Sequence, residues 1–341
     1  MNTIAATPFL IALAVVAPLS LQAGLASLLL EYKFNETGTD AASTGPLSTP
    51  VTMRENFGTE QDLHGEPGSG VSGHADDLAF HNVFTVPVAG YADQADLQAL
   101  DGLRSFTLQG WFKTEDATPI QRAALIDKAV PGTGFIVYSL APGSLILGVI
   151  GAGVVSPPVY TETQEWVFFA VTCSISGQPR AVGWYSVNFY KGTASLPVTI
   201  VGSANGQGLR FFPDNNVGLR IGSSQERDKP FVGYLDNFRI FGSQTDGSAF
   251  LNPGLLEELR QSDVQNDSRA NVLDLSATRA GGQVVIAWRK TSFPFALQTK
   301  SRVTPDVAWE DVSSAPEPSG ENLTVTLPAA SGLHVFRLVR P

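Results

Sequence analysis

The sequence predicts an all-β protein, a two-sheet antiparallel jelly-roll sandwich followed by a small β-sandwich, and three observations predict it. Charged residues fill only 16% of the 341 positions while Gly (33) and Pro (22) are plentiful, which suits short strands and tight turns better than long surface helices. Between Leu28 and about Phe241, strand-like runs are separated by clusters of Gly, Pro, Asn and Asp. The length exceeds the ~250–300 residues at which single cores stop growing, so about two folded units are expected.

The N-terminus reads as an export signal over residues 1–26. An apolar run from Pro8 to Ala23 leads into small residues, with no Asp or Glu before Glu31. Cleavage after Ala23 or Ala26 fits the small-residue rule, and Ala26 is favoured because Gly24 is smaller than Leu21 at the upstream position. No Lys or Arg precedes the run, so the α-amino group is its only positive charge. A retained membrane anchor is the alternative, but Pro18, Ser20 and Gln22 interrupt the segment and Leu28–Phe34 is better used as a first strand. No later stretch is apolar enough to span a bilayer once the signal is removed. The expected location is extracellular, periplasmic or at the cell surface.

Candidate strands follow as Leu28–Phe34, Ser105–Lys113, Ala123–Lys128, Gly134–Leu140, Ser144–Ile150, Glu165–Ser174, Trp184–Lys191, Gly218–Ile221 and Val232–Phe241. Phe106, Leu108, Gly110 and Phe112 point one way, and Thr107, Gln109 and Trp111 the other. Val167–Val171 is apolar on both faces, as an interior strand covered on both sides would be. One helix is expected after Asn252: Asn252 caps it, Pro253 suits its first position, and Leu255, Leu256 and Leu259 form a stripe. The first domain is therefore drawn as 27–260. Residues 261–271 read as a polar linker, and 272–341 as a second β unit.

The balance of 32 acidic against 22 basic residues, a net charge of −10, argues against nucleic acid and anionic membranes as partners. The lone cysteine, Cys173, excludes an intrachain disulfide and reads as a buried, inert thiol within Trp166–Cys173.

Five stretches in order carry a family resemblance: Leu30–Glu36, Ser105–Phe112, Glu165–Thr172, Val187–Gly192, and Leu219–Gly222 leading into Gly233–Phe241. On these, residues 27–260 resemble the laminin-G-like branch of the concanavalin A-like lectin and glucanase superfamily. In that reading Trp111 and Trp166 fill the space between sheets roughly 10 Å apart, and Gly192 serves a hairpin turn. Lys191 stands where many relatives carry Asp. The C-terminal unit resembles fibronectin- or immunoglobulin-like modules of exported bacterial proteins, on Val284–Trp288, Phe295–Thr299, Trp309 and Val335–Leu338.

The resemblance implies a structural calcium ion near Asp236, the Asp of the closing strand, with Asn35 and Asp40 as further ligands and Asp76 and Asp77 as a second possibility. Calcium takes six to eight oxygens, so one Asp is insufficient. The alternative for Asp236 is a bond to backbone. His64, His74 and His81 match no compact zinc spacing. For catalysis, the alternating carboxylates of laminarinase-like glycoside hydrolases are missing, and Glu162/Glu165 and Glu115/Asp116 diverge from one another. Gly70–His74 lacks the fifth-position Gly of a serine-hydrolase elbow.

The expectation is therefore a secreted, non-catalytic protein that binds a glycan or an extracellular protein, with calcium as a structural ion. A structural or adhesive surface protein is the first alternative, and a glycoside hydrolase or lyase the second. The ligand-binding candidates are Trp184, Tyr185, Phe211, Phe212 and Asn215, with Tyr160, Asn205, Gln207 and Asn216 beside them. Aromatic rings stack on sugars while amides bond their hydroxyls. Capping of the core is the alternative role for Trp184 and Phe211.

Overall fold

A computed structural model describes residues 11–13, 27–82, 90–115, 123–130, 133–140, 143–149, 152–161, 164–176, 183–209, 216–265, 276–280, 282–289, 296–300, 309–320, 322–328 and 334–339. The chain divides into two compact units, Ala23–Asn266, and Met1–Gln22 together with Asp267–Pro341.

The strands run in chain order from β1 (Ile11–Leu13) through β2 (Leu28–Tyr32), β3 (Asp40–Ala41), β4 (Val51–Arg54), β5 (Phe80–Asn82) and β6 (Tyr91–Asp93). Next come β7 (Ser105–Thr114), β8 (Ala123–Val130), β9 (Thr133–Leu140), β10 (Ser144–Val149) and β11 (Ala152–Val155). The first unit ends with β12 (Val167–Ser176), β13 (Gly183–Thr193), β14 (Thr199–Leu209), β15 (Arg220–Ile221), β16 (Gly233–Ser243) and helix α1 (Pro253–Val264). One sheet has the order β14-β13-β12-β7-β16-β2, with β5 also on β16, and the other β11-β10-β9-β8-β15-β6-β4-β3. The core between them draws Leu30, Phe106, Leu108, Phe112, Val171, Val187 and Ile240 from the first sheet and Ile126, Phe135, Val137 and Leu147 from the second. The all-β sandwich is the observed architecture.

The first and last strands pair, Leu30 opposite Ile240 and Tyr32 opposite Phe238. Alternation in β7 holds: Phe106, Leu108 and Phe112 enter the core. Gly110 makes room there, since a Cβ would meet the Phe238 ring at 2.8 Å. A bulge interrupts β16 between Asp236 and Arg239, where Asn237 adopts φ 49°, a conformation Asn tolerates. The extra residue keeps Leu235, Phe238 and Ile240 in the core while Asp236 and Arg239 stay on the outer face.

Three expectations change. Trp111 does not lie between the sheets: its Nε1 donates to Asp263 of α1 at 2.8 Å, so its ring packs on the outer face beneath the helix. Trp166 is half-buried on that same face, edge-to-face with Tyr234. Both depart from the expected position because sheet residues alternate and the neighbours Phe112 and Val167 take the core side. Gly192 lies inside β13 rather than in a turn, where a Cβ would meet Cδ of Arg260 at 2.8 Å. Finally, α1 runs through Val264 into the segment expected as linker, because Asp263 is taken up by Trp111 and Arg239.

The second unit continues with β17 (Ser276–Ala280), β18 (Gln283–Arg289), β19 (Ala296–Lys300), β20 (Glu310–Asp311), β21 (Glu317–Ser319), β22 (Asn322–Pro328) and β23 (His334–Val339). Its sheets, β17-β18-β22-β21 and β1-β23-β19-β20, share a core of Val284, Ile286, Trp288, Leu297, Val325, Phe336 and Leu338. Within the expected export signal, Ile11–Leu13 pairs in parallel with His334–Phe336.

Candidate functional site

Strand β13 separates its residues by parity. Val187 and Phe189 are buried in the core and Tyr185 packs against it, so Trp184, Ser186 and Asn188 face outward. Among the large apolar side chains of the described residues Trp184 is notably open, at 60% exposure. Register extends this face to both neighbours. Ser176, Trp184 and Gln207 lie opposite one another across β12, β13 and β14. The same holds for Ser174, Ser186 and Asn205, and for Thr172, Asn188 and Ser203. The result is a three-by-three grid with strands ~4.8 Å apart and side chains ~6.8 Å apart along each strand.

Every member of the grid apart from Trp184 is a hydroxyl or amide residue. Ser186 Oγ donates to Asn205 Oδ1 at 2.5 Å, and Asn188 Nδ2 donates to the Tyr190 hydroxyl at 3.2 Å. Ser176 Oγ donates to the Trp184 carbonyl at 3.3 Å. Thr172 is fully buried, whereas Ser203, Asn205 and Gln207 are exposed on β14. Beyond β12 the outer face is closed by the chain after β16: Ser105 Oγ donates to the Asp246 carbonyl at 2.8 Å and Thr107 Oγ1 to that of Ala249 at 2.6 Å.

Of the expected ligand-binding residues, Trp184 is therefore on this face and Tyr185 on the opposite, core-facing side. Phe211, Phe212 and Asn215 lie outside the described residues. Tyr160 is buried, its hydroxyl donating to the Tyr190 carbonyl at 2.9 Å, so it does not belong to an exposed surface. Ser174, Ser186, Asn188 and Ser203 were not singled out from the sequence. The signal that finds them is the alternation of Trp184-Tyr-Ser-Val-Asn-Phe against Ser203-Ala-Asn-Gly-Gln, which acquires meaning only with the register.

The calcium candidates occupy a second region. Asp236 is fully buried; its Oδ2 accepts from the Val71 amide at 2.9 Å, while its buried Oδ1 has no hydrogen-bond partner. Burial, with the neighbouring Asp77 carboxylate, pushes its pKa well up. Asp77 is buried too and accepts from the Ser72 amide and hydroxyl at 2.8 and 2.6 Å. Asn35 bonds the side chain of Asp77 and accepts from the Leu78 amide at 2.8 Å. The loop between Gly65 and Leu78 is thus tied over β16 by these side chains. Asp40 is not gathered here: it accepts from Thr52 at 2.7 Å across β3 and β4, in the other sheet. Among the described residues, no three His, Cys, Asp or Glu side chains converge as a metal cage.

The histidines are dispersed in role. His64 pairs with Asp62 at 2.8 Å, and His74 is exposed. His81 pairs with Glu115 at 2.6 Å and stacks on Tyr234 with ring centroids 4.0 Å apart. Ser72, in the stretch that superficially resembles a serine-hydrolase elbow, is bonded to Asp77.

No protein-family model and no curated protein matches this chain. Several solved structures are similar to it. Domain 4 of AbnA, an extracellular GH43 arabinanase from Geobacillus stearothermophilus solved with arabinotriose, is 16% identical over 69% of this chain and 98% of that one, with a TM-score of 0.45. The binding domain of botulinum neurotoxin serotype D/C is 11% identical over 89% and 82%, with a TM-score of 0.46. The binding domain of botulinum neurotoxin DC in complex with rat synaptotagmin II is 10% identical over 89% and 85%, with a TM-score of 0.42. Among the described residues no helix is long and apolar enough to cross a membrane.

Proposed function

We propose that this is a secreted or cell-surface, non-catalytic binding protein whose laminin-G-like first unit recognises a glycan through the outer face of β12, β13 and β14. The observation that carries the reading is the open Trp184 ring, held on a strand paired on both sides and surrounded by hydroxyl and amide side chains. An aromatic face supplies apolar contact to the C–H side of a sugar ring, and with only two side-chain torsions it has little freedom to lose on binding. Hydroxyls and amides both donate and accept, as sugar hydroxyls do.

A glycan array probed with the full chain tests this reading. Saturable binding is expected, weakened about tenfold or more by Trp184→Ala, the loss typical of an aromatic anchor. Silence toward every glycan would replace it with recognition of an extracellular protein or with a structural or adhesive role that has no specific small ligand.

The proposal includes a structural calcium ion at Asp236. What supports it is the unpartnered, buried Oδ1 beside Asp77 and Asn35. Backbone carbonyls and water would have to complete the shell. An ion bound only by the native chain raises its melting temperature, so a chelator is expected to lower it and added calcium to restore it. A melting temperature indifferent to both would remove calcium from the reading.

A further inference from the structure

We infer that the grid around Trp184 selects uncharged polysaccharides and rejects anionic ones, an inference that rests on the glycan reading above and narrows it to a ligand class. The nine grid positions contain no Asp, Glu, Lys, Arg or His: Thr172, Ser174, Ser176, Trp184, Ser186, Asn188, Ser203, Asn205 and Gln207. Recognition of a uronate or sulfate is strongest with Arg or Lys, whose charge-assisted bonds replace the water stripped from the anion. The grid offers none.

Its closed side is flanked by the exposed carboxylate of Asp246, which accepts from Ser243 at 2.7 Å and from the Ser248 amide at 3.0 Å. Two hydrogen bonds from the Ser248 residue and one from Ser243 hold the Asp246 carboxyl down to about 2, so it is charged at any ordinary pH. Arg104 stands on the same flank, its Nη1 donating to the Thr245 carbonyl at 3.1 Å, so the two local charges offset each other and the net charge of −10 over the chain is what disfavours anions.

The free hydrogen-bonding capacity suits a neutral ligand. Among the described residues the side chains of Ser174, Ser203 and Gln207 make no hydrogen bond within the protein, and Asn205 uses only its oxygen. These groups lie in register on adjacent strands, on both sides of β13. A chain of sugars lying across the strands on the row of Ser176, Trp184 and Gln207 meets a side chain at each ~4.8 Å step, with Trp184 at its centre as the apolar contact and Ser174, Ser186 and Asn205 on the next row.

Native affinity electrophoresis of the full chain through gels containing hydroxyethylcellulose, galactomannan, polygalacturonate or alginate tests the inference. Retardation is expected by at least one neutral polymer and by neither anionic one. It should persist at high salt and fall about tenfold with Trp184→Ala. Asn205→Ala, on an exposed strand position, should weaken it several-fold without moving the melting temperature.

Retardation confined to the anionic polymers, or abolished by salt, would overturn the selectivity while leaving glycan binding intact. Retardation by neutral polymers that Trp184→Ala and Asn205→Ala leave unchanged would place the site off this face. Migration unaffected by all four polymers, together with a silent array, would overturn both readings at once.

Discussion

Asp127 shows how one residue makes this fold sensitive to pH. It is buried on β8, with Oδ1 accepting from Ala129 at 2.8 Å and Oδ2 from Gln225 at 2.9 Å. Burial outweighs those two bonds and, with Glu226 nearby, pushes its carboxyl from 3.8 up to about 7 despite Arg220. The native chain therefore holds a proton there that the unfolded chain has released. The stabilisation is complete below about pH 4, and it is lost as pH rises through about 7. Urea unfolding of the wild type and Asp127→Asn from pH 4 to 8 should show the wild type losing ~1–3 kcal/mol relative to the variant. A difference that stays flat across that range would refute the assignment. Glu31 runs the other way: burial raises its carboxyl, but Arg239 and Lys33 prevail and hold it at about 2. Its contribution is present at neutral pH and disappears only as pH falls from about 4.5 toward 2.

Among the elements, α1 is placed largely by charge. Its leucines Leu255 and Leu256 are buried against the outer face, but Asp263 fixes it. That carboxylate accepts from Trp111 at 2.8 Å and from both Arg239 terminal nitrogens at 2.9 and 2.6 Å, while Arg239 Nε donates to Glu31 at 2.6 Å. Replacing Asp263 by Ala leaves the buried guanidinium with Glu31 alone and the buried indole N–H without its partner, so a loss of ~2–4 kcal/mol in denaturant unfolding is expected. A loss below ~1 kcal/mol would mean that the leucine stripe alone seats the helix. The start of α1 was legible in the sequence, since Asn252 Oδ1 accepts from Leu255 at 3.0 Å and Pro253 opens the helix. Its end was not, because Asp263 looks like an ordinary polar residue until Trp111 and Arg239 are brought beneath it. The long strands β7, β12 and β16 were legible from their apolar residues. Strand β14 was not: Gly202, Gly206 and Gly208 break its pattern, and as an edge strand it needs an apolar row on one side only. That is also why half of the candidate face went unread. Trp184, Asn205 and Gln207 stand out as residue types, but Ser174, Ser186, Asn188 and Ser203 become a surface only through the pairing of three strands.

The whole molecule consists of two units, each with its own apolar core. Small domains bury a lower fraction of their surface and are correspondingly marginal. Calorimetry is therefore expected to resolve two transitions, with the transition of the larger unit retained in a chain ended after Asn266. A single transition, lost on that truncation, would show that the first core does not stand alone. Nor does a covalent link brace either unit: the sequence holds one cysteine, and Cys173 is free and sealed within the sandwich, where burial pushes its thiol far up. A reagent that modifies thiols thus has no target on the intact surface. The rate at which it labels this chain is a clock for the parting of the two sheets, readable without any engineered probe.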